Sequence, residues 1–269
     1  MERINPEFPL NPQINRSNEQ CYTFKNQNNK YILIPKNPSM FTTQKDKEFN
    51  TIKNLSWLPW VGSDFFKNDK RLLIIGESHY ANGETMEDYQ KSLSYLSQIN
   101  FTRNLIIETQ IDDLYSHKAL DNLFKALFGN KVFNKHKVWQ NIAFYNFVQR
   151  TMNYGLGNKE IPNLTDFDNG WKTFTDVVKI IKPTDCIFIG VTAATSFERM
   201  MDKMNISRTA RIYHPKIGNT APASASINID DNEVQITFIK HTSAFFSPEN
   251  WQPFLKQQNG EIRKELENF

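Results

Sequence analysis

Apolar residues along this chain gather into short continuous runs and into helical stripes, and from about residue 57 the two kinds alternate. Arg71-Leu72-Leu73-Ile74-Ile75 and Cys186-Ile187-Phe188-Ile189 are apolar runs closed by Gly76 and Gly190, the pattern of strands buried on both faces. Ile142 to Val148 reads as another strand, and Val234 to Ile239 alternates into a last one. Between them the period is helical. Tyr89, Leu93 and Leu96 share a face within Met86 to Ile99. Leu120, Leu123, Phe124, Leu127 and Phe128 share another, with Ser116 as the expected N-cap and Gly129 as the stop. Trp171, Phe174, Val177, Val178 and Ile181 line a third helix ended by Pro183, and a further helix is expected from Thr195 to Met204. Ser247-Pro248 opens a terminal helix with proline at its tolerated first position.

Residues 1 to 55 are rich in Asn, Gln, Pro and Lys, with one apolar run at Tyr31-Ile32-Leu33-Ile34, and read as an N-terminal arm with little regular structure and one strand. Residues 56 to 269 then form one α/β domain, in which Asn205 to Ser226 has the composition of a loop-like insertion. The repeated strand-helix order predicts a three-layer α/β/α sandwich around a mostly parallel central sheet. Ligands of such sheets lie at the carboxyl ends of the strands.

The composition is that of an ordinary folded protein: 269 residues, 39% hydrophobic and 23% charged, which excludes disorder, collagen and coiled coil. No run of roughly 18 apolar residues occurs, and Met1 to Leu10 lacks the layout of a signal peptide. A cytoplasmic location without membrane contact is the default expectation. Cys21 and Cys186 are too few for a disulfide framework, a four-thiolate zinc site or an iron-sulfur cluster, so both are expected as free thiols, Cys186 in strand core. No metal or other cofactor is expected. A net charge of +3 and a pI near 8.7 permit nucleic-acid binding without arguing for it. The aromatic share of 13% supplies either core or stacking platforms.

Three strand ends could carry chemistry. Gly76-Glu77-Ser78-His79-Tyr80 delivers an acid, a hydroxyl, an imidazole and a phenol within a few residues of a buried strand. Asn146 is an amide in an otherwise apolar strand, and His241-Thr242-Ser243-Ala244-Phe245-Phe246 follows the last strand directly. Each has an ordinary structural role open to it: a helix N-terminal carboxylate, a satisfied core amide, a capping histidine. Their joint placement at successive strand ends is what raises them as a site.

In this order, with Phe188-Ile189-Gly190-Val191-Thr192-Ala193-Ala194 between the second and third, the segments resemble the uracil-DNA glycosylase superfamily over roughly residues 57 to 255. That family carries G-Q-D-P-Y, G-E-A-P-G or a relative after its first strand, an Asn on a middle strand, and a strand-Gly-x-x-Ala segment before H-P-S. The resemblance implies a catalytic pair, Glu77 and His241, with Glu77 at the second position of the first motif and His241 donating to the departing base oxygen. It places Gly76, Ser78, Tyr80, Asn146 and Ser243 against the substrate: Tyr80 guards the base pocket and Asn146 pairs with a uracil edge. Phe245 falls where the family has an apolar wedge, and Gly190 opens the intervening turn. The implied partner is single- or double-stranded DNA, or a nucleobase ligand.

These residue types suit the chemistry. Glycosidic cleavage leaves an oxocarbenium-like sugar and an anionic base, so a carboxylate and a hydrogen-bond donor act where charge develops. A duplex base must flip to reach them. The departures from the family are equally definite. Ser78 replaces the water-activating aspartate and is a poor general base, so either Glu77 takes that role or the chain binds a base without cutting it. His79 and Thr242 stand where the family has prolines; His79 then acts as an acid or caps the following segment. His214-Pro215-Lys216 is a competing third motif, but it lies in the loop-like segment, and Arg208, Arg211 and Lys216 there are candidate phosphate contacts. A different enzyme reading takes Gly76-Glu77-Ser78-His79 as a G-E-x-H segment resembling the erythromycin-esterase-like hydrolases. A non-catalytic nucleobase or nucleic-acid binding protein of the same fold is the remaining alternative.

Overall fold

The computed structural model describes residues 22–27, 30–35, 40–154 and 159–267. Cys21 and the first residues of the arm lie outside the described residues. The arm is more regular than its composition suggests. Strands β1 (Tyr22–Gln27) and β2 (Lys30–Pro35) form an antiparallel hairpin, so the apolar run at Tyr31 to Ile34 is one of a pair.

The boundary expected at residue 55 falls inside the packed unit. Phe41 bridges to Gly62, Met40, Phe49 and Ile52 are core residues, and Asp46, in the short helix α1 (Asp46–Phe49), pairs with the buried Arg103 guanidinium at 2.6 Å. Polar composition concealed this, because the few apolar residues of the segment are widely spaced and only the tertiary fold brings them to the core.

The sheet is parallel at its centre and antiparallel at its edges. After edge strand β3 (Trp60–Val61) come β4 (Leu72–Gly76), the short β5 (Tyr80–Ala81), β6 (Ala143–Asn146), the short β7 (Met152–Asn153) and β8 (Asp185–Ile189). Then follow β9 (Ser207–Arg208), β10 (Ile212–Tyr213), β11 (Ala223–Ile229) and β12 (Asn232–Ile239). The order across the sheet is β10-β11-β12-β8-β4-β6-β3, with β9 also on β11. The strands β6, β4, β8 and β12 run parallel, in register from Gly76↔Asn146 to Ile239↔Ile189. Segment 205–226, expected as a loop, instead supplies β9, β10 and the start of β11. Ala-Ser-Ala-Ser-Ile-Asn-Ile alternates buried and open positions, but its inward residues begin with alanines too small to register as an apolar stripe.

Both sheet faces are covered. Leu73 and Ile75 of β4, Tyr145 of β6 and Phe188 of β8 face one core cluster; Leu72, Ile74, Phe144 and Ile187 face another. This alternation within continuous apolar runs is what a doubly covered parallel sheet requires. The first cluster is closed by helix α6 (Leu164–Ile181), which begins in an Asn163/Asp166 capping box, and by α7 (Phe197–Lys203). The second is closed by α4 (Lys118–Phe128), α5 (Lys135–Asn141), α8 (Pro248–Gln258) and α9 (Gly260–Leu266). Helices α2 (Met86–Leu96) and α3 (Phe101–Ile106) enclose a smaller cluster of Trp57, Ala81, Leu96 and Phe101. The cap of α4 is His117, not Ser116: His117 Nδ1 accepts from the Leu120 amide, while Ser116 turns to Asp121. Cys186 is a buried free thiol. No helix among the described residues is long and apolar enough to cross a membrane.

Candidate functional site

Because β6, β4, β8 and β12 are parallel, their carboxyl ends emerge on the same side of the sheet, and Asn146, Glu77, Gly190 and His241 follow one another along that rim. At roughly 4.8 Å per strand the row spans about 14 Å. Two approaches along the row are close. The Asn146 amide lies against the bare Cα of Gly76, where a Cβ would sit 2.0 Å from Asn146 Oδ1, so glycine is needed there for close approach. Gly190 has φ +128°, a conformation closed to other residues, and its open face lies against the Glu77 carboxylate, with Oε1 3.7 Å from where a Cβ would be. Thus both glycines that end the strand signals have a second purpose, in clearing space for the polar side chains beside them.

The segment after β4 is held by backbone pairing to the segment after β6. Val148 N–H donates to Glu77 C=O and Met152 N–H to His79 C=O, both at 2.9 Å, continuing into the β5/β7 pair. Glu77 is half-buried, and burial raises its pKa while the Lys159 ammonium pulls it down. Asn146 is buried, yet no described residue hydrogen-bonds its side-chain amide. Ser78 Oγ is buried and makes no hydrogen bond of normal geometry.

His241 is held in one tautomer. Ser243 N–H donates to His241 Nδ1 at 3.3 Å, and Ser243 Oγ is 2.8 Å from the same nitrogen. A backbone amide can only donate, so Nδ1 accepts and the proton sits on Nε2. Burial, with the charges of Lys159 and His117, holds the imidazole down to about 4, so at neutral pH it is an uncharged donor. The loop that carries it is tied to α4: Thr242 Oγ1 donates to Ala119 C=O at 2.7 Å and Asn122 Nδ2 to Thr242 C=O at 2.8 Å. Thr242→Val keeps the shape but leaves the Ala119 carbonyl without this donor, and is expected to cost about 1–3 kcal/mol in urea unfolding.

Phe245 is the most conspicuous residue of this loop. It stands 95% exposed in the left-handed region, φ +55°, with its carbonyl held by Lys240 Nζ at 2.6 Å. Its neighbour Phe246 turns inward and stacks on Trp251. Tyr80 lies edge-on to Tyr154, and Lys159 Nζ sits over both rings, 5.5 and 5.6 Å from their centroids.

His79 does not join this rim. Its ring is buried edge-on to Trp57 and Phe101, Nε2 is 3.1 Å from Thr102 Oγ1, and burial holds it down to about 3. A neutral imidazole of this kind supplies no proton at neutral pH, and its contacts are with Trp57, Phe101 and Thr102. Among the described residues no three His, Cys, Asp or Glu side chains come together in a metal-binding group. The competing His214 follows edge strand β10, two strands beyond β12, bound to Ser224 Oγ at 2.8 Å and packed on Phe254. Arg208 and Arg211 are neutralised by Asp202 and Glu198. A hollow of about 220 Å³ between β9 and β11 lies on that same outer edge, and the Arg208 in its wall is committed to Asp202.

Three residues near the rim had no sequence signal: Lys159, Tyr154 and His117. The first two are placed by backbone pairing, Tyr154 N–H to Ala81 C=O and Glu160 N–H to Asn153 C=O, both at 2.8 Å, and His117 was hidden behind the better cap-former Ser116. No family model matches the sequence, and no curated protein matches it.

Proposed function

We propose that this chain is a divergent DNA glycosylase-like protein, with a uracil-DNA glycosylase-like fold, that binds a flipped-out uracil or other deaminated base and hydrolyses its N-glycosidic bond. The observation that carries the reading is the row of Glu77, Asn146 and His241 on one rim, with the amide unengaged and His241 a neutral Nε2–H donor. In this reading Asn146 donates to and accepts from the adjacent C=O and N–H of the base edge. His241 Nε2–H donates to the base oxygen on which negative charge grows as the C1′–N bond breaks. Glu77 faces the sugar, stabilises its positive charge, and accepts a proton from the water whose oxygen bonds to C1′. A carboxylate whose pKa is raised by burial suits that proton better than the Ser78 hydroxyl does. Phe245, exposed and held on its strained turn, is suited to fill the stack that the base has left.

The test is a panel of uracil, hypoxanthine and xanthine oligonucleotides, single- and double-stranded. Uracil release is expected to be faster from the single strand, where no pairing energy is lost in flipping. Binding to all three without release would transfer the reading to a non-catalytic nucleobase-binding protein, the alternative favoured by Ser78. Neither binding nor release would end it.

A further inference from the structure

We infer that His117, at the start of α4, is a second N–H donor to the leaving base beside His241, so that two imidazoles serve the base oxygen on which charge grows. The inference rests on the reading of the rim as a glycosylase site and adds a residue to its leaving-group side.

The first turn of α4 is built against the loop that carries His241. Thr242 Oγ1 donates to Ala119 C=O at 2.7 Å, and Asn122 Nδ2 donates to Thr242 C=O at 2.8 Å. His117 stands two residues before Ala119, and His241 one residue before Thr242, so these bonds bring the two histidines to the same end of the sheet. Consistent with that placement, the charge of His117 is felt by His241 and also by His79 in the segment after β4.

His117 is prepared as a donor in the same way as His241. Leu120 N–H donates to His117 Nδ1 at 3.4 Å, and an amide can only donate, so the proton sits on Nε2. No other residue among those described accepts from that Nε2–H. The ring is half-buried, and burial lowers its pKa, which keeps it uncharged at neutral pH. A serine or aspartate cap would satisfy the Leu120 amide equally well but would set no ring N–H at this place.

A carbonyl oxygen has two lone pairs and can receive both donors. As the C1′–N bond breaks, its electron pair passes to the base, both imidazoles keep their protons, and the charge on the base oxygen is shared between two N–H groups. The water oxygen bonds to C1′ and its proton goes to Glu77; solvent returns a proton to the base. Ser78 is a poor base for that water, so more of the barrier falls to stabilisation of the leaving group.

The experiment separates the cap from the donor. His117→Asn keeps a good N-cap and an acceptor at the Nδ1 position but removes the Nε2–H, whereas His117→Gln loses the cap and carries an amide N–H near the Nε2 position. In single-turnover release of uracil from a single-stranded oligonucleotide, His117→Asn should be slower by about 10²-fold with an unchanged or higher melting temperature. His117→Gln should retain more release than His117→Asn in spite of a lower melting temperature. With 5-fluorouracil, whose anion is the more stable leaving group, the His117→Asn deficit should shrink, which a purely structural defect would not do. Wild-type release in His117→Asn, or an equal deficit for the two bases, overturns the second donor and leaves the site of Glu77, Asn146 and His241 standing. No uracil release by the wild-type protein overturns both.

Discussion

Glu77→Gln is expected to lower base release by about 10²–10³-fold while leaving the protein as stable as before or slightly more so. The two effects separate because of where the charge sits. Burial raises the Glu77 pKa, which means that the fold disfavours the ionised form; a neutral amide of the same shape removes that penalty at pH 7. Loss of activity with gain of stability marks a group kept for chemistry rather than for folding. His241→Ala should lower release by a similar factor, through loss of the Nε2–H donor, and removes a ring whose Nδ1 is already satisfied locally by Ser243. Single-turnover release and thermal melting, measured on the same preparations, decide the matter. Release that is unchanged in either variant, or that falls only as far as the melting temperature does, would sink these roles. On the proposed role of Glu77, in which the ionised form acts, wild-type release should fall as pH drops through a value above the ordinary 4.5 of a glutamate.

Acidification alone should unfold this protein earlier than carboxylate titration would. His79 is held down to about 3 and His241 to about 4, and the His117 imidazole is also lowered by burial. In the unfolded chain these groups take up protons below about 6.5, while in the fold they stay neutral. Unfolding therefore binds protons, and stability is full above 6.5, falls as the pH drops below it, and levels only near 3 to 4. Each histidine removes about 1.4 kcal/mol per pH unit across its window, so the His79 and His241 losses together reach roughly 5 kcal/mol by pH 4.5, a large part of the stability of an ordinary domain. Glu77 and Asp185, whose pKa values burial raises, act in the opposite sense, but only as the pH approaches the carboxylate range. The groups that face His79 are Thr102, Trp57, Phe101 and the His117 ring, none of them a carboxylate that could stabilise its cation. Urea midpoints at pH 7, 5.5 and 4.5 should decline steadily, and His79→Gln should flatten about half of that decline. A flat profile down to pH 5 would show that these rings are protonated in the fold.

The central elements were legible because each carries its signal locally. The runs Leu72 to Ile75 and Cys186 to Ile189, the stripe from Trp171 to Ile181 and the Ser247-Pro248 start are the strands and helices observed. The edge of the sheet was less legible: Ala223 to Ile229 pairs with both β12 and β10, but small residues bury little area and leave a weak period. Phe49 and Ile52 were unreadable as core for a related reason, since their partners are far away in the chain.

By itself the sequence determined which residues end the buried strands, because apolar runs, glycines and the first polar residues after them are local facts; that is why Glu77, Asn146 and His241 could be named in advance. Only the tertiary structure decided which way those side chains turn and what surrounds them. His79 and Glu77 are two residues apart, yet one is sealed between Trp57 and Phe101 and the other lies along Gly190. Lys159 comes to lie over Tyr80 through the pairing of β5 with β7 and the bond from Glu160 N–H to Asn153 C=O. Proximity of this kind depends on how distant segments pair, and on the protonation that burial then imposes, neither of which is written in any short stretch of chain.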